Sequence, residues 1–293
     1  HNMFGMISTN NRETFAYFSA YANAQFGTRS TVQASWMDDS GIRYAIPVNS
    51  RKPQTSAYTY LSYNRPITKD RQLTFQIEGF ANYTGGTSYQ ATSRLDGLDL
   101  QTFDYNKFME GFWGDASGDR FYNGDSGFAE SRTRTVIWGG DMKFKYSIEK
   151  LDVDLGFSTS NRVSKYSLDP TANLNNWTNE INTDILYRPG KDWEIGTDLS
   201  YRFYRGYAAG FGTPEWRWNM QVSKSIKSVT LGLKVADILN QSRNLRRTVS
   251  AEYVEDVYSN ILGRFFLFSV SFNFGKMNAK KNKNVEGAMW NMM

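Results

Sequence analysis

The chain has 293 residues, and the side chains that most often do chemistry are scarce in it. There is one histidine, His1, at the very start, and there are no cysteines. Histidine-based triads and histidine metal sites are therefore nearly excluded. Thiolate nucleophiles, thiolate metal sites and a disulfide framework are excluded outright. The glycine pairs Gly85-Gly86 and Gly111-Phe112-Trp113-Gly114 are followed by no Gly-Lys-Ser/Thr, so they are not phosphate loops. The composition predicts no enzyme, no cofactor and no metal.

The strongest cluster of recognition chemistry lies in the connection 91–129. Tyr105, Phe108, Phe112, Trp113, Phe121 and Tyr122 are interleaved there with Asp96, Asp99, Asp104, Asp115, Asp119 and Asp125. Aromatic faces beside acidic acceptors can hold sugars or peptides. Loops of this length without regular structure are usually functional or disordered. The candidate ligand-binding residues are Tyr105, Phe112, Trp113, Asp115, Asp119, Tyr122 and Asp125. The competing reading is an Ω-like loop that packs its own aromatics over whatever lies beneath. Asp115, Asp119, Asn123 and Asp125 loosely suggest oxygen ligands for calcium, but their spacing is not that of an EF-hand.

The elements that must position this loop follow from a period of two. Leu151, Val153, Leu155 and Phe157 alternate with Asp152, Asp154 and Gly156. Trp193, Ile195, Thr197, Leu199, Tyr201 and Phe203 alternate with Glu194, Gly196, Asp198, Ser200, Arg202 and Tyr204. Strict alternation gives a strand one apolar and one polar face. Expected strands are 2–9, 13–26, 29–37, 54–66, 71–85, 130–147, 149–164, 176–188, 192–207, 214–225, 228–240 and 258–274, about twelve. Several exceed the about 9–11 residues that cross a bilayer at a tilt. In 54–66, Tyr58 and Tyr60 could point either way.

The connections alternate in length. Tight polar turns fall near 68–70, 149–150, 189–192 and 225–228. Longer connections lie about 38–53, 86–129, 165–175 and 241–257. Outer-membrane barrels sort their loops this way, with short periplasmic turns and long extracellular loops. The fold expected is an all-β antiparallel transmembrane β-barrel over 1–275, with a periplasmic tail over 276–293. An even strand count puts both termini in the periplasm.

Composition agrees. Mean hydropathy is −0.57, and a barrel permits this because only alternate residues need be apolar. The 18 Tyr, 20 Phe and 8 Trp could supply aromatic girdles at both membrane interfaces. With the apolar set toward lipid, the opposite face carries Asp141, Lys143, Lys145, Asp152, Asp154, Glu180, Asp184, Glu194, Asp198, Arg202, Arg217 and Lys234. Such charges either line a conduit or plug seat, or neutralise one another in a wet wall. The net charge of +5 is spread along the chain, with no basic cluster before the tail, so no nucleic-acid partner is expected. The first residues show no signal peptide.

The final third resembles the C-terminal barrel of TonB-dependent outer-membrane receptors of the outer-membrane β-barrel family. The residues that carry this are Trp218 to Lys224, the run Leu231 to Gln241 with its Asp-Ile-Leu-Asn-Gln, and Gly263 to Gly275. The resemblance implies a receptor importing a nutrient ligand across the outer membrane of a Gram-negative-type bacterium. It implies outer-membrane lipid as environment, TonB as partner through a plug domain not found in these residues, and a surface lipoprotein that captures substrate. Such barrels have about 22 strands, so the resemblance implies a plug and roughly ten further strands upstream of His1. It further implies that Phe272 and Phe274 form the signal read by the barrel-assembly machinery. The rival readings are a complete twelve-stranded barrel acting as a passive pore or outer-membrane enzyme, and a non-transporting structural barrel subunit of an envelope assembly.

Overall fold

The computed structural model describes residues 1–113, 127–207, 212–242, 245–249, 254–259 and 262–273. The strands are β1 (Asn2–Asn10), β2 (Tyr17–Gly27), β3 (Thr31–Met37), β4 (Arg43–Asn49), β5 (Gln54–Pro66), β6 (Leu73–Ala91), β7 (Phe128–Ile148), β8 (Leu151–Tyr166), β9 (Leu174–Gly190), β10 (Trp193–Arg205), β11 (Glu215–Ile226), β12 (Val229–Ala236), β13 (Leu245–Val249), β14 (Val254–Tyr258) and β15 (Phe265–Phe272). One helix, α1 (Tyr105–Trp113), lies between β6 and β7, and a 3-10 turn, Pro170–Ala172, links β8 to β9.

The wall is a meander in the order β1-β2-β5-β6-β7-β8-β9-β10-β11-β12-β15, every neighbour antiparallel. Among the described residues β1 and β15 do not pair, so the sheet has two open edges. Tight turns explain the register on one side. Ile148 pairs with Leu151 around Glu149-Lys150, and Ile226 pairs with Val229 around Lys227-Ser228. Lys191 and Asp192 both have positive φ, 51° and 58°, between the paired Gly190 and Trp193. That backbone matches the right-handed twist of the strands it joins.

The expected alternation of faces is what the registers produce. Leu155 pairs with Phe144 and Thr183, and Phe157 with Met142 and Ile181, on one face. Asp154 pairs with Lys145 and Asp184, and Asp184 with Asp198, on the other. The apolar face is left open: Leu155, Met142, Ile181 and Leu233 are all more than a third exposed. A sheet that turns such a face outward must cover it with lipid or another apolar surface. Among the described residues no helix is long and apolar enough to cross a membrane, which says nothing of strands.

Two expectations change. The strand expected at 29–37 is no part of the wall: β3 pairs along its length with β4 and touches β6 only through Ala34–Tyr89 and Ser35–Gln90, in parallel. Among the described residues eleven strands remain in the wall path, an odd number. β1 therefore begins on the long-connection side and descends to the turn 11–16, so His1 lies opposite the side first expected for it. β15 still descends toward the short-turn side. The connection 241–257 holds a second hairpin, β13 with β14.

Candidate functional site

Three features could meet a ligand: a cap above the wall, a charged inner face and an uncharged inner face.

The cap holds the hydrophobic core of the described residues. Ala34 and Trp36 from β3, Ile46 and Val48 from β4, Tyr89 from β6, Phe112 from α1 and Phe128 from β7 form one hydrophobic cluster. The Trp36 ring stacks on Tyr44 at 5.4 Å and on Phe108 at 5.9 Å, and meets Phe128 edge-on. Its indole N–H donates to the Asp96 carbonyl at 3.1 Å, so the one polar atom of the ring is satisfied. Phe108 and Phe112 stack at 5.7 Å along one side of α1. Asp104 begins the helix by accepting from the Asn106 and Lys107 amides, the usual task of an N-terminal carboxylate.

The tip of the β3–β4 hairpin is polar and closed on itself. The Asp38 carboxylate accepts from Ser40 Oγ at 2.6 Å, from the Ile42 amide at 2.8 Å and from the Tyr44 hydroxyl at 3.0 Å. The Ser40 hydroxyl, helped by that amide and phenol, holds the Asp38 carboxyl below the ordinary carboxylate range. Burial first, and the Asp38 carboxylate second, push the Tyr44 phenol up.

The candidate ligand residues are thereby separated. Phe112 is buried in the cluster, so its ring offers no face to a ligand while the cap is shut. Tyr105 is about half exposed, 45%, and its hydroxyl donates to the Pro47 carbonyl at 3.0 Å. Trp113 closes α1. Asp115, Asp119, Tyr122 and Asp125 lie outside the described residues, as does Phe274. Phe272 sits on the outward face of β15 opposite Val229, 59% exposed.

The charged inner face runs over β7 to β11. Lys145 meets Asp154 at 3.6 Å. Arg188 bridges Asp152 at 2.5 Å and Glu194 at 3.4 Å. Arg202 bridges Glu180 at 2.6 Å and Glu215 at 3.6 Å. Asn219 donates to Asp198 at 2.6 Å. Arg188 and Glu215 were not singled out from sequence. Their signal was their parity: each falls on the polar phase of its strand.

The uncharged inner face covers β1, β2 and β5. Registers put Tyr21 opposite Tyr60, and Asn23 opposite both Phe4 and Tyr58. Tyr58 and Tyr60 therefore both point inward, since Tyr60 shares its face with Phe80 and Glu78. Along these three strands the inward positions carry amides, hydroxyls, aromatics and one methionine, and no Asp, Glu, Lys or Arg.

Comparison with known proteins adds the following. Residues 138–274 match the model described as the outer membrane protein beta-barrel family. No curated protein matches. Among solved structures the chain is similar to the Pseudomonas putida toluene transporter TodX, at 9% identity and a TM-score of 0.34 over 93% of this chain and 72% of that one. A TodX mutant titled a monoaromatic hydrocarbon channel gives 10% identity and a TM-score of 0.31, over 94% and 74%. Likenesses at those scores carry no argument for this chain. The family match coincides with the two-faced wall from β7 to β15, and it places that wall in the outer membrane.

Proposed function

We propose that this chain is part of the wall of a TonB-dependent receptor that imports a nutrient across the outer membrane. One observation supports it above the others. Among the described residues an eleven-strand wall is open at both β1 and β15, yet its inner face is richly charged and paired. An open sheet edge cannot stand in hydrocarbon, because its backbone groups would be unsatisfied. Further strands that close the wall would satisfy them, and a barrel of about 22 strands is wide enough to need a plug. The inner charges then meet water or plug rather than lipid. The C-terminal resemblance supplies the TonB part of the reading.

Growth on limiting nutrient sources tests it. A strain lacking the gene and a strain lacking TonB should share at least one growth defect, and the full-length barrel should be closed in planar bilayers. A steady open conductance, with no defect shared with TonB loss, would replace import by a passive pore.

A further inference from the structure

The outward face changes chemistry at its upper end. On β7 its positions run Tyr146, Phe144, Met142, Gly140, Trp138 and Val136, and their partners on β8 run from Val153 to Val163. Ten residues at about 3.4 Å each and a tilt near 45° rise roughly 24 Å, the height of an apolar band. The Trp138 and Trp177 rings, edge to face at 5.0 Å, stand near its upper rim, where aromatic girdles lie. The next outward residue above Val136 is Arg134, and the next above Val163 is Lys165. These two are direct partners across β7 and β8, and both are exposed.

Like charges directly opposite each other destabilise a sheet. Among the described residues neither side chain has a hydrogen-bond or ion-pair partner. The one outward carboxylate of β7, Glu130, is held by Arg132 at 2.5 Å. On the other side of Arg134 is Gly85, which brings no side chain. A Cβ there would meet the Tyr83 hydroxyl and Thr55 Oγ1, so the phenol tip lies at the level of the basic pair.

Beside and below this pair the lipid face is hollow. A depression of ≈ 410 Å³ runs across β1, β2, β5 and β6. Gly5, Ala22, Ala57 and Ala81 form its floor, with Tyr83 and Val136 at its edge. Val136 is also the residue directly beneath Arg134, so hollow and basic pair are continuous. Lipid contact requires an apolar surface but no hollow.

We propose that Arg134 and Lys165 clamp a phosphate of an acylated, phosphorylated glycolipid of the outer leaflet, and that the hollow receives one of its acyl chains. A phosphate between the two cations replaces their repulsion by charge-assisted hydrogen bonds, and a guanidinium offers it a bidentate fork. Basic residues at a membrane surface attract anionic lipid in the same way. The occupant follows from position: the clamp faces lipid on the long-connection side, where the outer leaflet presents phosphorylated sugars. The proposal rests on the outer-membrane location and not on TonB-driven import.

The test uses the purified full-length barrel, delipidated by detergent exchange and read by native mass spectrometry. The probes are lipid A, its enzymatically dephosphorylated form, phosphatidylglycerol and inorganic phosphate. Lipid A should stay bound, and the other three should each bind at least about tenfold more weakly. Replacing both cations, Arg134→Gln with Lys165→Gln, should weaken lipid A binding at least about tenfold, whereas Lys165→Arg should stay within about threefold. Ala57→Phe, which fills the hollow, should weaken it with the cations intact. Heat-modifiable gel migration checks that each variant is folded. Lipid A binding indifferent to the double substitution overturns the clamp. Binding indifferent to Ala57→Phe, or equally strong binding of inorganic phosphate, overturns the acyl hollow. Phosphatidylglycerol bound as tightly as lipid A reduces the pair to unspecific basic charge and overturns the glycolipid assignment. A steady open conductance, which would remove the import reading, leaves all of these results unchanged.

Discussion

Trp36→Ala should open the cap without disturbing the wall. Trp36 is 6% exposed, lies between Tyr44 and Phe108, and donates one hydrogen bond to the Asp96 carbonyl. Truncating a buried tryptophan costs about 3–5 kcal/mol. Its hydrogen bond contributes about 1 kcal/mol of that scale. The wall strands share no cluster with Trp36 beyond the upper ends of β6 and β7. The loss therefore falls on the local opening of β3, β4 and α1. At about 1.4 kcal/mol per tenfold, a loss near 4 kcal/mol raises the open population about 10³-fold. Trypsin reads this directly, because Lys107 lies in α1 and Arg94 reaches back to the Asp39 carbonyl at 2.9 Å. When opening is fast relative to cleavage, the cleavage rate tracks the open population. Cleavage after Lys107 should rise about 10²- to 10³-fold, with heat-modifiable migration of the barrel unchanged. Trp36→Phe should raise it about tenfold, having kept a ring and lost the donor. Unchanged cleavage in Trp36→Ala, or a barrel that no longer folds, would refute the view of the cap as a separate cooperative unit.

Other predictions concern the charges and faces. The Asp38 carboxyl is held low in the folded hairpin, so its contribution is present above the unfolded pKa of about 3.9 and is lost as pH falls through the folded value. Proteolysis at the hairpin tip should rise on acidification below about pH 4, and Asp38→Asn should flatten that profile. Arg202→Ala should destabilise the barrel by about 1–3 kcal/mol, because it leaves Glu180 and the buried Glu215 without their guanidinium, and Glu180→Gln added to it should recover part of that loss in urea titrations. Cysteines at Leu155 and Phe157 should resist aqueous maleimide in membranes, and one at Asp154 should react in a plug-deleted barrel. Equal reactivity of the three would contradict the assigned faces.

Much of the wall is legible along the chain. A strand with a lipid face and a wet face must alternate, and Leu151 to Phe157 does so residue by residue. The inward charges follow from parity alone. The cap was hidden for a different reason. Whether 31–37 pairs with its sequence neighbour or with the wall depends on partners far away, and its alternation reads the same in both. β4 falls inside the connection expected over 38–53, and its Pro47 lies on a strand paired with β3, where the absent N–H is tolerated at an edge. Tyr58 and Tyr60 were ambiguous since tyrosine suits lipid interface and wet lumen equally. Only pairing with β6, where Glu78 shows which face is polar, resolves them.

The wall is not level. β6 and β7 run for 19 and 21 residues, whereas β12 and β15 have eight each. At about 3.4 Å per residue and a tilt near 45°, the first pair reaches roughly 45–50 Å and the second roughly 20 Å. The apolar band is only about 25 Å tall. The flank of β6 and β7 thus stands well clear of the bilayer, with the β3–β4 hairpin and α1 at its crest. Large particles drifting along the cell surface, such as antibodies or phage tails, would strike that crest first.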